Sequence, residues 1–467
     1  MPRRIVIIGG GISGLAAARS AVETAASSGA ETEVVVLERD PAVGGKARTR
    51  RRDGWLIEGG PAGYLDDPDT AQTMQRLIAA AGMPDDVLHA SDAARRRFIA
   101  RDGKPREVKA NPLRLVTGGV LGPGGAARLL LEPFVRPRPA TSDESVFDFA
   151  ARRIGRQAAE RLVAPMMLGI FAGDARRISL LGAFPRLAAL EREHGSLVRG
   201  MLARRRESRG GPAGPSGTLT SFREGMQSLP TALAARGGFA VRTRATVHAI
   251  EPATEGGWLV RYWEHPEALR ADAVVLACEA WAAAELLARL APIAASLLRE
   301  IAYPPVIAVS LGYGPEAQAR FPRGFGCLIP RDEGIRSLGC VWDSALFDAR
   351  APKNHVLVRV LLGGAVDASI DSLTDEEALA TARGDVDRLF APGMSPITRE
   401  VVRWTRAIPQ YAVGHPGVVE RVQEDLARLP GLLLAGNALH GVAFAKAAAE
   451  GWRRGEAAAK QALASTA

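Results

Sequence analysis

The chain opens on a short unbroken apolar run, Ile5 to Ile8, of the kind a strand buried on both faces requires. A glycine-rich turn follows, Gly9-Gly10-Gly11-Ile12-Ser13-Gly14, and then an alanine-rich stretch with strong helix preference. A second apolar run, Glu33 to Leu37, ends at the acidic Glu38. Far along the chain, Leu432 to Ala435, a glycine turn and another alanine-rich stretch repeat the order strand, glycine, helix. Residues 146–171 carry apolar positions at helical spacing, and Leu113 to Val135 mixes apolar residues with arginine and glycine, so 91–214 reads as helical. Residues 300–363 instead alternate short apolar runs with turns (VIAVSLGY, GFGCLIP, LGCVW, VLVRVLL), which predicts strands of a mixed sheet. The polar, breaker-rich stretch 204–217 predicts an exposed loop.

These patterns predict a mixed α/β protein. A discontinuous Rossmann-like nucleotide domain is expected from 1–90, 215–280 and 400–467, with a helical region at 91–214 and a mixed-sheet substrate domain at 281–399. No internal repeat is visible.

The opening segment carries a chemical reason for each glycine. Gly9 permits a tight turn, Gly11 lets main chain approach a pyrophosphate, and Gly14 allows close helix packing. Free N–H groups at the helix start receive the phosphate charge, and Glu38 is placed to accept ribose hydroxyls. The pair Gly44-Gly45 before Lys46 offers a second close approach, and Glu58-Gly59-Gly60-Pro61 a third turn-prone crossing. A nicotinamide-only domain needs none of these extra pieces, nor the second glycine turn near residue 436. A dinucleotide held by both ends of a chain predicts FAD.

Composition narrows the setting. The chain has 467 residues, 47% hydrophobic and 24% charged, which suits two or three globular domains. Lys+Arg 60 against Asp+Glu 51 gives +9, a surplus suited to anionic partners such as lipid or a polycarboxylate. Three cysteines without CxxC spacing point to a reducing, cytoplasmic compartment and exclude a disulfide framework or zinc site. The N-terminal apolar stretch is too short for a signal peptide, and no run approaches the ~18 apolar residues of a spanning helix. Any membrane contact is therefore expected to be peripheral. The seven histidines show no HxH or HExxH spacing; His440 alone sits beside the C-terminal glycine turn.

At this point the chain resembles the monoamine oxidase/protoporphyrinogen oxidase superfamily of flavoproteins. GGGISGL with LERDPAVGGKART carries the first match, and ADAVVLACEAW (271–281) resembles the strand re-entering the FAD domain. EGGPAGYL (58–65), RRRFIARDGKPREV (95–108), APMMLGIFAGDARRISL (164–180), SFREGMQSL, GFGCLIP, LLGGA, RWTRAIPQY (403–411) and GNALHGVAF (436–444) narrow it to the protoporphyrinogen oxidase branch, in family order along almost the whole chain.

The resemblance implies an FAD domain, a substrate domain and a helical membrane-binding domain. It also implies oxidation of a porphyrinogen by successive hydride transfers to flavin, with molecular oxygen reoxidising it to give hydrogen peroxide. By position, the FAD contacts are Gly9, Gly10, Gly11, Ile12, Ser13, Gly14, Glu38, Arg39, Gly44, Gly45, Lys46, Gly60, Pro61, Ala62, Gly63, Val247, Asn437, Val442, Ala443 and Phe444. Arg97 aligns with the arginine that pairs with a substrate propionate, while Gly169, Phe325, Leu328, Val341 and Leu361 align with walls of the tetrapyrrole pocket. No catalytic triad is expected, because the flavin does the chemistry, and His440 is the one histidine placed to serve as a base.

This chain departs from the family at Ala62, at Ala445-Lys446-Ala447 and at Leu439-His440, all close to the flavin in relatives. The readings that remain are a protoporphyrinogen oxidase, a coproporphyrinogen III oxidase, an amine oxidase or carotenoid desaturase on the same scaffold, and a non-catalytic flavin- or tetrapyrrole-binding paralogue. Expected partners are the porphyrinogen, oxygen, a membrane surface and a downstream ferrochelatase; nucleic acid is not expected. Sequence says nothing of oligomeric state.

Overall fold

A computed structural model describes residues 2–108, 118–138, 143–207, 217–263 and 265–464. The expected loop at 204–217 and the apolar–arginine stretch from Leu113 fall partly outside the described residues.

Five parallel strands form the first sheet, in the order Ala240–Arg242, Thr32–Leu37, Arg3–Ile8, Ala273–Leu276, Leu432–Leu434. Its strands are apolar on both sides because both faces are covered. Ile5 and Ile7 join the core beneath the opening helix, Ile12–Ser27, and the closing helix, Phe444–Ala464; Val6 and Ile8 face the opposite core. That second core also holds the helices Ala280–Leu287, Pro292–Glu300 and His415–Leu426.

The opening and closing helices touch through glycine. A Cβ on Gly451 would lie 2.0 Å from Ser13 O, and one on Gly455 2.0 Å from Ala17 O. The matched steps make the two helices parallel, and the closing helix begins earlier along their shared direction, overhanging by roughly 9 Å at 1.5 Å per residue. Their N-termini therefore address two separate points along one line.

The second sheet has seven strands, in the order Thr398–Trp404, Val306–Tyr313, Val356–Gly363, Gly339–Val341, Gly326–Leu328, Arg97–Arg101, Lys104–Val108. All neighbours are antiparallel except Gly326–Leu328 with Arg97–Arg101. One face packs on the helix Asp375–Leu389 through Phe98, Cys327, Cys340, Val358 and Val360. Cys327 and Cys340 are packed strand residues, and all three cysteines in the chain are free.

The hairpin 97–108 lies in the stretch whose sequence reads as helical. Its two-residue turn is Asp102-Gly103, both at positive φ (54° and 69°), a dipeptide that favours the tight hairpin turn. The strand alternation is hidden because Phe98 and Ala100 enter the core while Arg97 and Ile99 turn to the other face.

The remaining described part of 118–207 is a helical cap. Its helix 146–171 is broken at Gly155 (φ 93°) and passes through a wide turn, Ala159–Val163, into Ala164–Phe171. A buried ion network holds the cap together. Arg153, fully buried, pairs with buried Glu132 and with Glu191, and Arg152 donates to Glu191 at 2.7 Å and to Glu144 at 2.6 Å. Glu132 also accepts from Ser196 Oγ at 2.6 Å and Leu197 N at 2.9 Å. On either side of this anchor Leu130, Leu131 and Phe134 are exposed, Phe134 at 79%, with Met201 and Leu202 exposed on the helix Leu197–Glu207. No helix among the described residues is long and apolar enough to cross a membrane.

Candidate active site

The glycine turn after the first strand is shaped by close approach. Gly9 takes φ 113°, and a Cβ on Gly14 would lie 1.8 Å from Gly9 O. Above Gly11, by contrast, nothing lies within 4 Å of a Cβ position. Gly44 N donates to Gly10 O at 2.9 Å, and a Cβ on Gly45 (φ 57°) would lie 3.4 Å from Gly11 Cα, so the second glycine pair closes beside the first. Ser13 is buried at the helix start, and its Oγ has no hydrogen-bond partner. An orphaned hydroxyl, free helix N–H groups and open space over Gly11 are what a pyrophosphate requires.

Glu38 ends its strand buried, accepting from Gly10 N at 2.5 Å and Asp40 N at 2.7 Å. Ala245 N donates to Glu38 O at 2.8 Å, which brings the strand starting at Val247 beside it. Arg39 and Arg406 both approach the Trp281 ring, 5.6 and 4.4 Å from its centre. Lys46 pairs with Glu279 and sits 5.5 Å from the Tyr303 ring centre. Burial pulls the Lys46 ammonium down to about 8.

The crossing Glu58 to Gly63 is held from the seven-stranded sheet. Arg359, buried in strand Val356–Gly363, donates to Glu58 O at 3.2 Å and to Gly60 O, and pairs with buried Asp343 at 3.2 Å. Trp404 Nε1 donates to Gly59 O at 2.7 Å. Gly60 packs so closely on Lys46 O that a Cβ would lie 1.9 Å away, and a Cβ on Gly63 would lie 2.6 Å from Thr220 O. Pro61 and Ala62 are half-buried between them. The neighbouring Tyr64 ring stacks on Phe444 at 6.2 Å, which joins this crossing to the closing helix. Asn437 lies in the loop before that helix, Val442 packs against the cap, and Ala443 is exposed at the turn.

The residues expected to wall a substrate pocket share one face of the seven-stranded sheet. Leu328 pairs with Gly339 and Gly339 with Leu361; one row along, Gly326 pairs with Val341 and Val341 with Arg359. Paired residues point the same way, opposite to Cys327, Cys340 and Val360, so Leu328, Val341, Leu361 and Arg359 form one surface. The first three are half-buried while the core face is closed. Gly169 of the cap helix Ala164–Phe171 approaches this surface, a Cβ there lying 2.6 Å from Leu328 Cδ2. Arg97 is exposed at the rim, its guanidinium 5.8 Å from the Phe325 ring centre. Thus the crossing Glu58 to Gly63, held through Arg359, and the cap helix, at Gly169, both meet the face that carries Leu328, Val341 and Leu361, with Arg97 exposed at its edge. An open surface cleft of about 630 Å³ elsewhere, around Thr49, Gln227 and Arg236, contains none of these residues.

Several site residues escape sequence reading. Glu279 lies in the stretch 271–281 without a role assigned to it, and Tyr303, Asp343 and Arg359 lack motif context; all four meet the site only through the fold. The histidine at issue also differs: His440 is exposed, whereas His415 is buried and bonded to Leu439 O at 2.9 Å. No group of His, Cys, Asp and Glu among the described residues could hold a metal ion.

The chain belongs to the family of flavin containing amine oxidoreductases, matched over residues 12–462, and is an FAD-dependent oxidoreductase. Within it the chain belongs to the branch of porphyrinogen-oxidising relatives. It is 32% identical to protoporphyrinogen oxidase 1, chloroplastic, of Arabidopsis thaliana, covering 94% of this chain and 85% of that protein. It is 29% identical to coproporphyrinogen III oxidase of Bacillus subtilis (strain 168), covering 94% of each. A crystal structure from Exiguobacterium sp. 255-15 shares the fold, with TM-score 0.83 at 24% identity, over 98% of this chain and 99% of that one.

Proposed function

We propose that this enzyme oxidises protoporphyrinogen IX to protoporphyrin IX in porphyrin and heme biosynthesis. The observation that carries the reading is the single apolar face of Leu328, Val341 and Leu361, closed by Gly169 and rimmed by Arg97. A flat macrocycle buries its ring against such a face and keeps its propionates at the edge. Arg97 binds a propionate through a planar two-point contact and so selects which methylene bridge is presented. FAD, when bound, supplies the hydride acceptor. The chain supplies orientation: Gly60 to Ala62, fixed through Arg359 and Trp404, sets the distance between cofactor and slot, where positioning governs rate. Molecular oxygen is the final acceptor in this reading, giving hydrogen peroxide.

The Bacillus relative's substrate, a porphyrinogen with more carboxylates, is the alternative that the net charge of +9 favours. Purified, FAD-loaded protein is to be given each porphyrinogen separately while porphyrin fluorescence and peroxide are followed. Faster conversion of coproporphyrinogen III moves the assignment to that substrate. Conversion of neither, with the flavin left oxidised, removes the reading and brings forward an amine substrate or a binding-only role.

The exposed Leu130, Leu131, Phe134, Met201 and Leu202, on a cap rich in arginine, support peripheral attachment to an anionic bilayer, and a ferrochelatase is the expected recipient of product. Flotation with anionic liposomes, lost in a Phe134→Glu, Leu131→Glu variant, tests the first point.

A further inference from the structure

Two main-chain carbonyls of the loop 437–442, which the proposed reading puts beside the flavin, are held from one direction. Tyr411 Oη donates to Asn437 O at 2.5 Å, and His415 Nε2 lies 2.9 Å from Leu439 O. A carbonyl only accepts, so this imidazole carries its proton on Nε2. The two rings stack with centres 4.1 Å apart and planes 15° from parallel, and both are buried. Burial lowers the imidazole's pKa, which keeps it neutral.

The same pair seats the cap. Ser179 N donates to Tyr411 O at 2.7 Å, Gln410 Nε2 donates to Phe171 O at 2.9 Å, and the Phe171 ring meets Tyr411 edge-on at 6.0 Å. Asp143 accepts from Ser179 Oγ at 2.6 Å and from Gly414 N at 2.8 Å, fixing the turn between the two rings. Val442, from the loop itself, packs in the cluster formed by Met167, Phe171 and Tyr411.

We propose that Tyr411 and His415 are positioning residues: a stacked pair that sets the flavin-side loop 437–442 and ties it to the cap helix carrying Gly169. The pair needs FAD as cofactor but no particular substrate, so its failure and that of the porphyrinogen reading are distinguishable.

The test is titration of apoprotein with FAD, together with hydrogen exchange at the amides of 437–442 and the visible circular dichroism of the bound flavin. Tyr411→Phe keeps the stack and removes the donor; His415→Leu removes the donor, and His415→Gln restores one. Loss of either donor leaves a buried carbonyl unpaired, so FAD should bind about tenfold more weakly in Tyr411→Phe and His415→Leu. Exchange in the loop should quicken, the dichroism should change, and kcat should fall more than KM rises. His415→Gln should return to within about threefold of the unaltered protein. Unchanged FAD affinity and exchange in both donor-loss variants overturn the proposal. So does His415→Gln behaving like His415→Leu, a comparison that stands alone should Tyr411→Phe not fold.

Discussion

The two large sheets solve different problems with different residue patterns. The parallel sheet is closed on both faces, so its central strands carry unbroken apolar runs, Ile5 to Ile8, Val34 to Leu37 and Ala273 to Leu276, and the glycines gather at one edge. The seven-stranded sheet packs the helix Asp375–Leu389 on one face; its other face is closed at Leu357 and Ala308 but carries half-buried Leu328, Val341 and Leu361, with Arg359 tethering the crossing Glu58 to Gly60. In the proposed site the first sheet would therefore meet its ligand with backbone shape, and the second with side chains brought together by register. Substitutions should divide accordingly, into those that remove the cofactor and those that spare it.

The largest effect is expected at Gly14. A valine side chain there would have to start within the 1.8 Å gap to Gly9 O, so Gly14→Val should yield colourless protein, with FAD affinity down by more than about 100-fold. Full yellow absorbance in that variant would break the backbone half of the comparison. Next is Arg97→Ala, which should leave FAD content unchanged and raise KM about tenfold, the loss of a charged hydrogen bond at an exposed rim. Steady-state kinetics with porphyrinogen decide it, and a normal KM takes Arg97 out of the site.

A smaller effect is expected where cap meets sheet. Gly169→Ala crowds Leu328 Cδ2 and should raise KM roughly threefold, with Leu328→Ala in the same protein relieving it, since contacting residues couple. Additive penalties would mean the two do not share a wall.

The last prediction concerns Glu58, where the halves meet, and is read in stability rather than in turnover. Burial raises its carboxyl to about 7, outweighing the hydrogen bonds from Met226 N and Thr49 Oγ1 and the nearby Arg350 and Arg359. The folded protein thus holds a proton that the unfolded chain has released. The stability this gives is complete below the ordinary carboxylate range and lost as pH rises through 7. Melting curves should show Glu58→Gln gaining on the unaltered protein by on the order of 2 kcal/mol between pH 5 and pH 8. A constant difference across that range contradicts the assignment.

This division also explains what could be read in advance. Ile5 to Gly14, Glu33 to Glu38 and Leu432 to Gly436 are local signals: strand, glycine and helix lie within a few residues, and each glycine has its own steric reason. The strands at 306–313, 326–328, 339–341 and 356–363 were equally visible as apolar runs. Which of their residues face the slot was not, because that depends on pairing between segments far apart. Arg359 sits in a run, VLVRVLL, where a lone arginine gives no hint that it reaches Glu58 and Gly60 some three hundred positions away. The 97–108 hairpin was hidden beneath a run of arginines, although Asp102-Gly103 was its marker. His440 drew attention by adjacency to a glycine turn, whereas His415 acts across space on the same loop.

The glycine contact between Ser13 and Gly451 has a consequence for how the protein comes into being. The two residues lie more than four hundred positions apart. At about 5–20 residues per second, the first helix leaves the ribosome roughly 20–90 s before the last one exists to cover it. During that interval the alanine-lined face of the first helix stands without the partner that buries it in the finished fold. In the proposed reading, the FAD site is then whole only once the closing helix has been made.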